Sequence, residues 1–322
     1  DIDFAQEYYY IQIADNYGYE RFGGTKFTGS FDGDGHVIRN LYTCSNFTDY
    51  YGGMFGYLGS GGIIKNLTLE NVEVKNGTYV GGLCGYNEGG SIINCHVING
   101  IFGQYDISGN HVGGLCGYNL GGTISGCSAS SSIRGTSYIG GLCGSNIRGI
   151  IVNSHASGSF YGESIGGLCG KNTGTISGSF STSNVYGNVA GGFCGDNSGL
   201  LLNNYSTGIV EIDNPLISMP CGGFCGSNTG TILNSYSTSM MCAEGNAYAG
   251  FCGKQSGSSA LIQDCFWDVE TSMKSVGVGT LESGTVDNLQ GLSTRDMKKI
   301  ASYIDAGWDF SEADGDAADW QI

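Results

Sequence analysis

Apolar and polar positions follow one rule along most of the chain. Runs of three to six apolar or β-branched residues are separated by corners of Gly or Asn. Within a run the two classes alternate, as in GTISGCSA at 122–129 and GTILNSYS at 230–237. Short β-strands between tight corners produce this pattern. A continuous 3.6-residue period, the mark of an amphipathic helix, is confined to a segment near the C-terminus.

The pattern is also periodic. VGGLCGYN stands at 80–87 and 112–119, IGGLCGSN at 139–146 and IGGLCGKN at 165–172. AGGFCGDN follows at 190–197, CGGFCGSN at 221–228 and AGFCGKQ at 249–255, with a diverged copy, YGGMFGYL, at 51–58. A second phrase trails each copy. It aligns Ile92, Ile124, Ile151, Ile176, Leu201, Ile232 and Ile262 in one column. Asn94, Gly126, Asn153, Gly178, Asn203, Asn234 and Asp264 align two residues further on.

A repeat of about 27 residues with few helix formers predicts an all-β chain, a parallel β-helix with one coil per repeat. A single coil cannot bury its own apolar face, so stacking buries it against the next. The crossover rule favours a right-handed coil. The predicted organisation is an N-terminal segment over 1–50, about eight solenoid coils over 51–265 and a C-terminal capping module over 266–322. Insertions at 98–111 and 209–220, the latter with Pro215 and Pro220, should project from the rod. STRDMKKIASYI at 293–304 reads as one α-helix. Ser293 with Asp296 resembles a capping box, and Met297, Ile300 and Ile304 mark an apolar face. With Trp267, Trp308 and Trp320 nearby in sequence, this helix is expected to cover the final coil.

Composition narrows the function. The 322 residues include 59 Gly, 2 Pro, 29 acids and 13 bases, for a net charge of −16. Phosphate binding needs Lys and Arg, so a nucleic-acid partner is not expected. No apolar run approaches the roughly 20 residues of a membrane-spanning helix, so membrane insertion is not expected either. The acidic, lysine-poor composition suits an extracellular or cell-surface protein. The chain begins at Asp1 without a signal-peptide pattern, as expected of a processed form or a piece of something longer.

The repeated phrases resemble the GLUG-motif repeat family, with GLCG or GFCG here where the family more often has Val in place of Cys. DIDF at 1–4 and FTGSFDGDGHVIRNLY at 27–42 resemble the segment that precedes such repeats. DCFWDVETS at 264–272, STRDMKK at 293–299, AGWDF at 306–310 and DWQI at 319–322 resemble a module that follows them. The resemblance implies a β-helical segment of large secreted or cell-surface proteins. These include adhesin-like bacterial proteins and the non-catalytic region of immunoglobulin-A-cleaving metalloproteases. It implies no catalytic residues in the repeats. The zinc-protease motif HExxH does not occur in the sequence.

The candidate chemistry lies in columns. Cys84, Cys116, Cys143, Cys169, Cys194, Cys225 and Cys252 occupy one position of successive repeats. Cys is a small apolar residue that fills a tight column; ladder disulfides and metal or redox roles are the alternatives. Cys95 and Cys127 share a second column, where burial as thiols is favoured over pairing. Cys221 and Cys242 are a candidate disulfide, and Cys44 has no evident partner. Asn87, Asn119, Asn146, Asn172, Asn197, Asn228 and then Gln255 suggest an amide ladder at a corner. His96, His155, Phe180, Tyr205, Tyr236 and Phe266 form an aromatic column that alternation turns outward. It is a candidate binding face for glycans or a protein partner, or else a device that stabilises the sheet.

Asp32 and Asp34 in FDGDG are candidate calcium ligands, though a tight turn explains the same residues. Asn46 and Asn76 are candidate glycosylation sites. The sequons at Asn66 and Asn204 fall in columns that read as buried or as corners. Glu88, Glu163 and Asp196 occupy different offsets in different coils and form no catalytic set, so no enzyme is expected. No cofactor is expected beyond that possible calcium site. The expected role is a non-enzymatic structural or adhesive protein, a stalk or filament subunit whose partners are other copies or other surface proteins. Carbohydrate binding or processing along the aromatic column is the alternative. Ice binding through Ser206-Thr207 and Ser237-Thr238 is disfavoured by the short, interrupted array.

Overall fold

A computed structural model describes residues 1–4, 25–43, 51–75, 77–103, 110–212, 219–242 and 248–308. Its local geometry begins at the corners. Asn66, Asn94, Asn153, Asn203 and Asn234 have φ between 45° and 57°, as do Asp264 at 53° and Asn288 at 50°. Gly126 and Gly178 hold the same place at 63° and 56°. Only Gly and Asn enter this left-handed region readily. The column therefore holds Asn or Gly, with Asp at 264, and turns each of these coils at the same point.

Between corners the strands pair in parallel and in register. The fold is a parallel β-solenoid of about nine turns. The cysteine strand recurs nine times, from Phe55–Leu58 through Cys84–Glu88 to Cys252–Gln255 and Val278–Leu281. Its last member adds a turn beyond the eight repeats legible in the sequence. Val278 stands there where the other copies have Cys, and pairs with Cys252. At the other end, Ser30–Asp32 pairs with Ile63–Lys65 and Val37–Arg39 with Thr68–Glu70. Much of the described N-terminal segment is thus built as a coil as well.

The core is a set of axial columns. Ile64, Ile92, Ile124, Ile151, Ile176, Leu201, Ile232 and Ile262 are all fully buried. Each contributes roughly 1.5–3 kcal/mol relative to exposure. Phe102, Ile133, Phe160, Val185 and Val210 form another buried column in register. Close backbone approach explains the GG pair of the repeat. A Cβ at Gly140 would strike the Cys143 carbonyl, and one at Gly141 would strike Gly167 O of the next coil and the Phe160 ring. Larger residues there would force neighbouring coils apart.

The C-terminal segment departs from expectation. The single predicted helix is a 3-10 turn, Asp296–Lys298, followed by a short α-helix, Ile300–Ile304. Lys299 between them is extended, at φ −101° and ψ 117°. That break resets the phase. Met297 and Tyr303 are buried, while Ile300 and Ile304 are 40% and 53% exposed. The Ser293–Asp296 pair forms as expected, with Asp296 N donating to Ser293 Oγ at 3.1 Å. The described part of the segment, up to Trp308, lies on the flank of the rod. Met297, Tyr303 and Trp308 pack sideways on Phe266. Another short helix, Val269–Ser272, is capped by Asp268, which accepts from Glu270 N and Thr271 N. Residues 98–102 of the 98–111 insertion stay in the sheet, because His96–Phe102 pairs with both neighbouring coils, and 104–109 lie outside the described residues. Pro215, Cys44, Trp320, Asn46 and Asn76 lie outside the described residues.

Candidate interaction surface

The seven repeat cysteines stack directly on one another, Cys84 on Cys116 through Cys225 on Cys252. All are fully buried free thiols. From Cys116 onward each donates to the carbonyl two residues ahead, for example Cys169 to Lys171 O at 3.1 Å. Burial pushes the thiols of Cys84, Cys143 and Cys225 well above their ordinary range. This is the opposite of what a nucleophile or metal ligand needs. Phe55 and Val278 end the column, so packing governs it.

Cys95 and Cys127 are likewise buried and free, with Cys95 N donating to Cys127 Sγ at 3.4 Å. The Cys221–Cys242 pair does not form. Cys221 points into the core in register with Ala190, whereas Cys242 is exposed beside Glu211. The two residues lie on separate strands, Cys221–Gly222 and Met240–Cys242, that do not pair with each other.

The predicted amide ladder is complete. Each Nδ2 from Asn87 to Asn228 donates to the next side-chain oxygen, at 2.7, 2.8, 2.9, 2.9, 2.7 and finally 2.6 Å to Gln255. The second amide hydrogen closes the corner on a glycine carbonyl, as from Asn146 to Gly149 O at 3.1 Å. Leu58 and Leu281 stand in the register positions just beyond the ladder's two ends.

The aromatic column faces outward as expected. Its rings, however, stack face to face along the rod axis. His155–Phe180, Phe180–Tyr205 and Tyr205–Tyr236 have centroids 4.7, 4.8 and 5.0 Å apart and are parallel within 4°. Their faces contact each other and their edges meet solvent. Ser128 separates His96 from this stack and lies 2.8 Å from His96 Nδ1. At the far end Phe266 is fully buried under Tyr303 and Trp308, and Tyr236 contacts both.

A second aromatic cluster escaped the sequence reading. Tyr51, Tyr79, His111 and Tyr138 form one outward stack at 5.1–5.6 Å. Tyr57, Tyr86 and Tyr118 form another at 4.9–5.0 Å. The two meet edge to face, as Tyr79 does with Tyr86 at 5.2 Å. Lys26 lies over the Tyr57 ring and Lys171 over Tyr138. Burial, then the charge of Lys171, holds His111 down to about 4. The available signal was a Tyr two residues after each of the first two repeat cysteines, with Tyr or His just before VGG or IGG.

The carboxylates are tied down locally. Glu88 pairs with Lys26 and accepts from Tyr57 at 2.8 Å. Ser164 donates to Asp196 at 3.2 Å, and Glu163 is exposed. Asp32 is held at about 2, first by Lys65 at 2.9 Å and then by the Asp34 and Asn66 amides. With Asp34 at φ 49°, the FDGDG segment forms a turn whose carboxylate already has a cation. No three-residue metal-ligating group occurs among the described residues. Asn204 is buried, with its Nδ2 donating to Ile176 O, so the folded chain cannot accept a glycan there.

Comparison with known proteins adds three findings. The GLUG motif matches residues 76–101, 108–134 and 135–161. Halomucin of Haloquadratum walsbyi is 34% identical over 90 residues, a match spanning 26% of this chain and 1% of halomucin. A crystal structure from Bacteroides ovatus, of a protein provisionally named an immunoglobulin A1 protease, superposes with a TM-score of 0.54 at 23% identity. It covers 66% of this chain and 69% of that one, a likeness of fold. The GLUG motif thus occurs three times within the repeated phrase on which the cysteine and amide ladders are built.

Proposed function

We propose that the chain is a non-enzymatic extracellular structural protein, a solenoid rod that serves as a stalk or subunit of a cell-surface assembly. One observation carries this reading: the side chains suited to chemistry are engaged in holding coil to coil. The repeat thiols are buried and desolvated, the amides satisfy each other, and the ring faces are stacked. The acidic, lysine-poor composition and the likeness to halomucin support an extracellular setting. Adhesion to other surface proteins belongs to the same reading. Binding of a sugar ring by face-on stacking is disfavoured, because such binding needs a free aromatic face.

The test has two parts. Antibody against the chain should label intact producing cells before permeabilisation. The purified chain should leave immunoglobulin A and polysaccharides uncleaved over long incubation. Labelling only after permeabilisation, or cleavage that follows the chain through purification, would overturn the proposal.

A further inference from the structure

We infer that Ser128 is a nucleophile primed by His96, and that it takes up one acyl group from an activated carboxylic ester or thioester. This goes beyond the structural reading above, because the hydrogen bond concerned also joins two coils. Its direction sets it apart. The Asp32 carboxylate, held ionised by Lys65 at 2.9 Å, can only accept. Asn66 Nδ2 donates to its Oδ1 at 3.0 Å. Asn66 Oδ1 is left to accept, and Asn94 Nδ2 donates to it at 3.0 Å. Asn94 Oδ1 then faces His96 Nε2 at 3.3 Å, so Nε2 carries the ring proton. His96 Nδ1 is left as a lone pair 2.8 Å from Ser128 Oγ, and the hydroxyl donates to it. A carboxylate three coils away thus sets the tautomer that a general base needs. Nucleophile, base and an oxygen that orients the base are the parts of an activated serine. Burial holds His96 below its ordinary range, so the ring is neutral at pH 7.

The sequence leaves room beside this serine. Gly126 and Ser128 are small residues between Asn94 and His96 on the preceding coil and Asn153 and His155 on the next. A Cβ at Gly126 would meet nothing nearer than Asn94 N at 4.0 Å, and Ser128 is partly exposed. The other serine paired with a histidine differs. Ser145 Oγ is also 2.8 Å from His111 Nδ1, but Ser145 is fully buried and the ring is enclosed by Tyr79, Tyr118 and Tyr138. The backbone limits the chemistry at Ser128. Its amide donates to Cys95 O and that of His155 to Cys127 O, so neither serves an oxyanion. One such donor is worth about 10²–10³-fold in rate. The acyl donor therefore needs a good leaving group, and amides are too unreactive. In the step, Oγ bonds the acyl carbon and Nδ1 takes the hydroxyl proton. The bond from that carbon to its leaving oxygen or sulfur breaks, and His96 passes the proton to the leaving group. The products are an ester on Ser128 and one free alcohol or thiol, and nothing is oxidised or reduced.

The full chain treated with p-nitrophenyl acetate, quenched in acid at short times and mapped by peptide mass spectrometry, tests this. Ser128 should be acetylated about 10²–10⁴-fold faster than the partly exposed Ser125, the range for a positioned general base. Ser145 should react only on unfolding. His96→Ala should remove the advantage of Ser128, and added imidazole should restore it, with the far-UV circular-dichroism spectrum as the control on folding. Asn94 is a positioning residue. Asn94→Gly, which suits the left-handed corner as Gly126 and Gly178 do, should slow the reaction. Asn94→Asp, which keeps an acceptor for Nε2, should retain it. Acetylation of Ser128 no faster than that of Ser125 would overturn the inference. So would an undiminished rate in His96→Ala, or failure of imidazole to restore a diminished one. Either failure leaves the surface labelling and the absence of cleavage untouched, so the structural reading is judged separately.

Discussion

Asn146 lies in the middle of the amide ladder, and Asn146→Ala measures what the ladder holds. Its side chain is fully buried. It accepts from Asn119 at 2.8 Å and donates to Asn172 Oδ1 at 2.9 Å, Gly149 O at 3.1 Å and Thr175 O at 3.4 Å. Alanine deletes all of these at once. Asn119 keeps Gly122 O and Asn172 keeps the Gly174 amide, so each neighbour is left partly satisfied. Counting only the two ladder bonds, at about 1 kcal/mol each, plus about 1–3 kcal/mol for polar groups left buried without partners, the cost is about 3–5 kcal/mol. That lies near the top of the range for single substitutions. Asn87 has a ladder neighbour on one side only, since Leu58 occupies the other. Asn87→Ala should therefore cost about 1 kcal/mol less, by one ladder bond. Urea unfolding followed by far-UV circular dichroism, wild type against both variants, gives the comparison. A loss for Asn146→Ala within about 0.5 kcal/mol of wild type, the size of a surface change, would refute the ladder as a stabilising element.

Three other outcomes follow from the same geometry. Gly141→Ala should cost at least about 1–3 kcal/mol by overpacking against Gly167 O and Phe160, read as a lowered melting temperature. Native protein should expose at most Cys242, and Cys44 outside the described residues, to a thiol reagent. The remaining thiols should react only on unfolding, and fast labelling of many would contradict their burial. Protonation of His111 should weaken the fold. Its folded pKa of about 4 lies below the ordinary 6.5, so the neutral ring is favoured. The stability it supports is full above 6.5 and is lost as pH falls toward 4. His111→Tyr, which continues the Tyr79–Tyr138 stack, should flatten the melting profile over that window; an unchanged profile would remove His111 as its cause.

The solenoid was legible because each coil repeats the same constraints. Gly or Asn marks the left-handed corner, Cys marks the tight column, and Asn marks the ladder. Where a coil changes its residues, the signal fades. The ninth turn has Val278 for Cys and Leu281 for Asn, so it reads as part of the cap. The Tyr79–Tyr86 corner joins two columns on either side of a bend, and neither phrase alone displays it. The helix at 293–304 carries a sound capping pair, yet the extended Lys299 breaks its phase, and no local signal marks that residue. The burial of Phe266 by Trp308 depends on a contact across 42 residues of chain, from 266 to 308, that periodicity does not contain.

The central claim, an in-register stack of coils, is tested most directly by distances along one column. Ser30, Ser91, Thr231 and Thr285 occupy equivalent places on successive coils. Spin labels on Ser91 and Thr231 span five coil steps, on Ser30 and Thr231 seven, and on Ser30 and Thr285 nine. With Cys242 and Cys44 replaced, double electron–electron resonance should give backbone separations of about 24, 34 and 43 Å, at about 4.8 Å per step. Distances that fail to rise in proportion to the number of coils would contradict the stacked register on which the account depends.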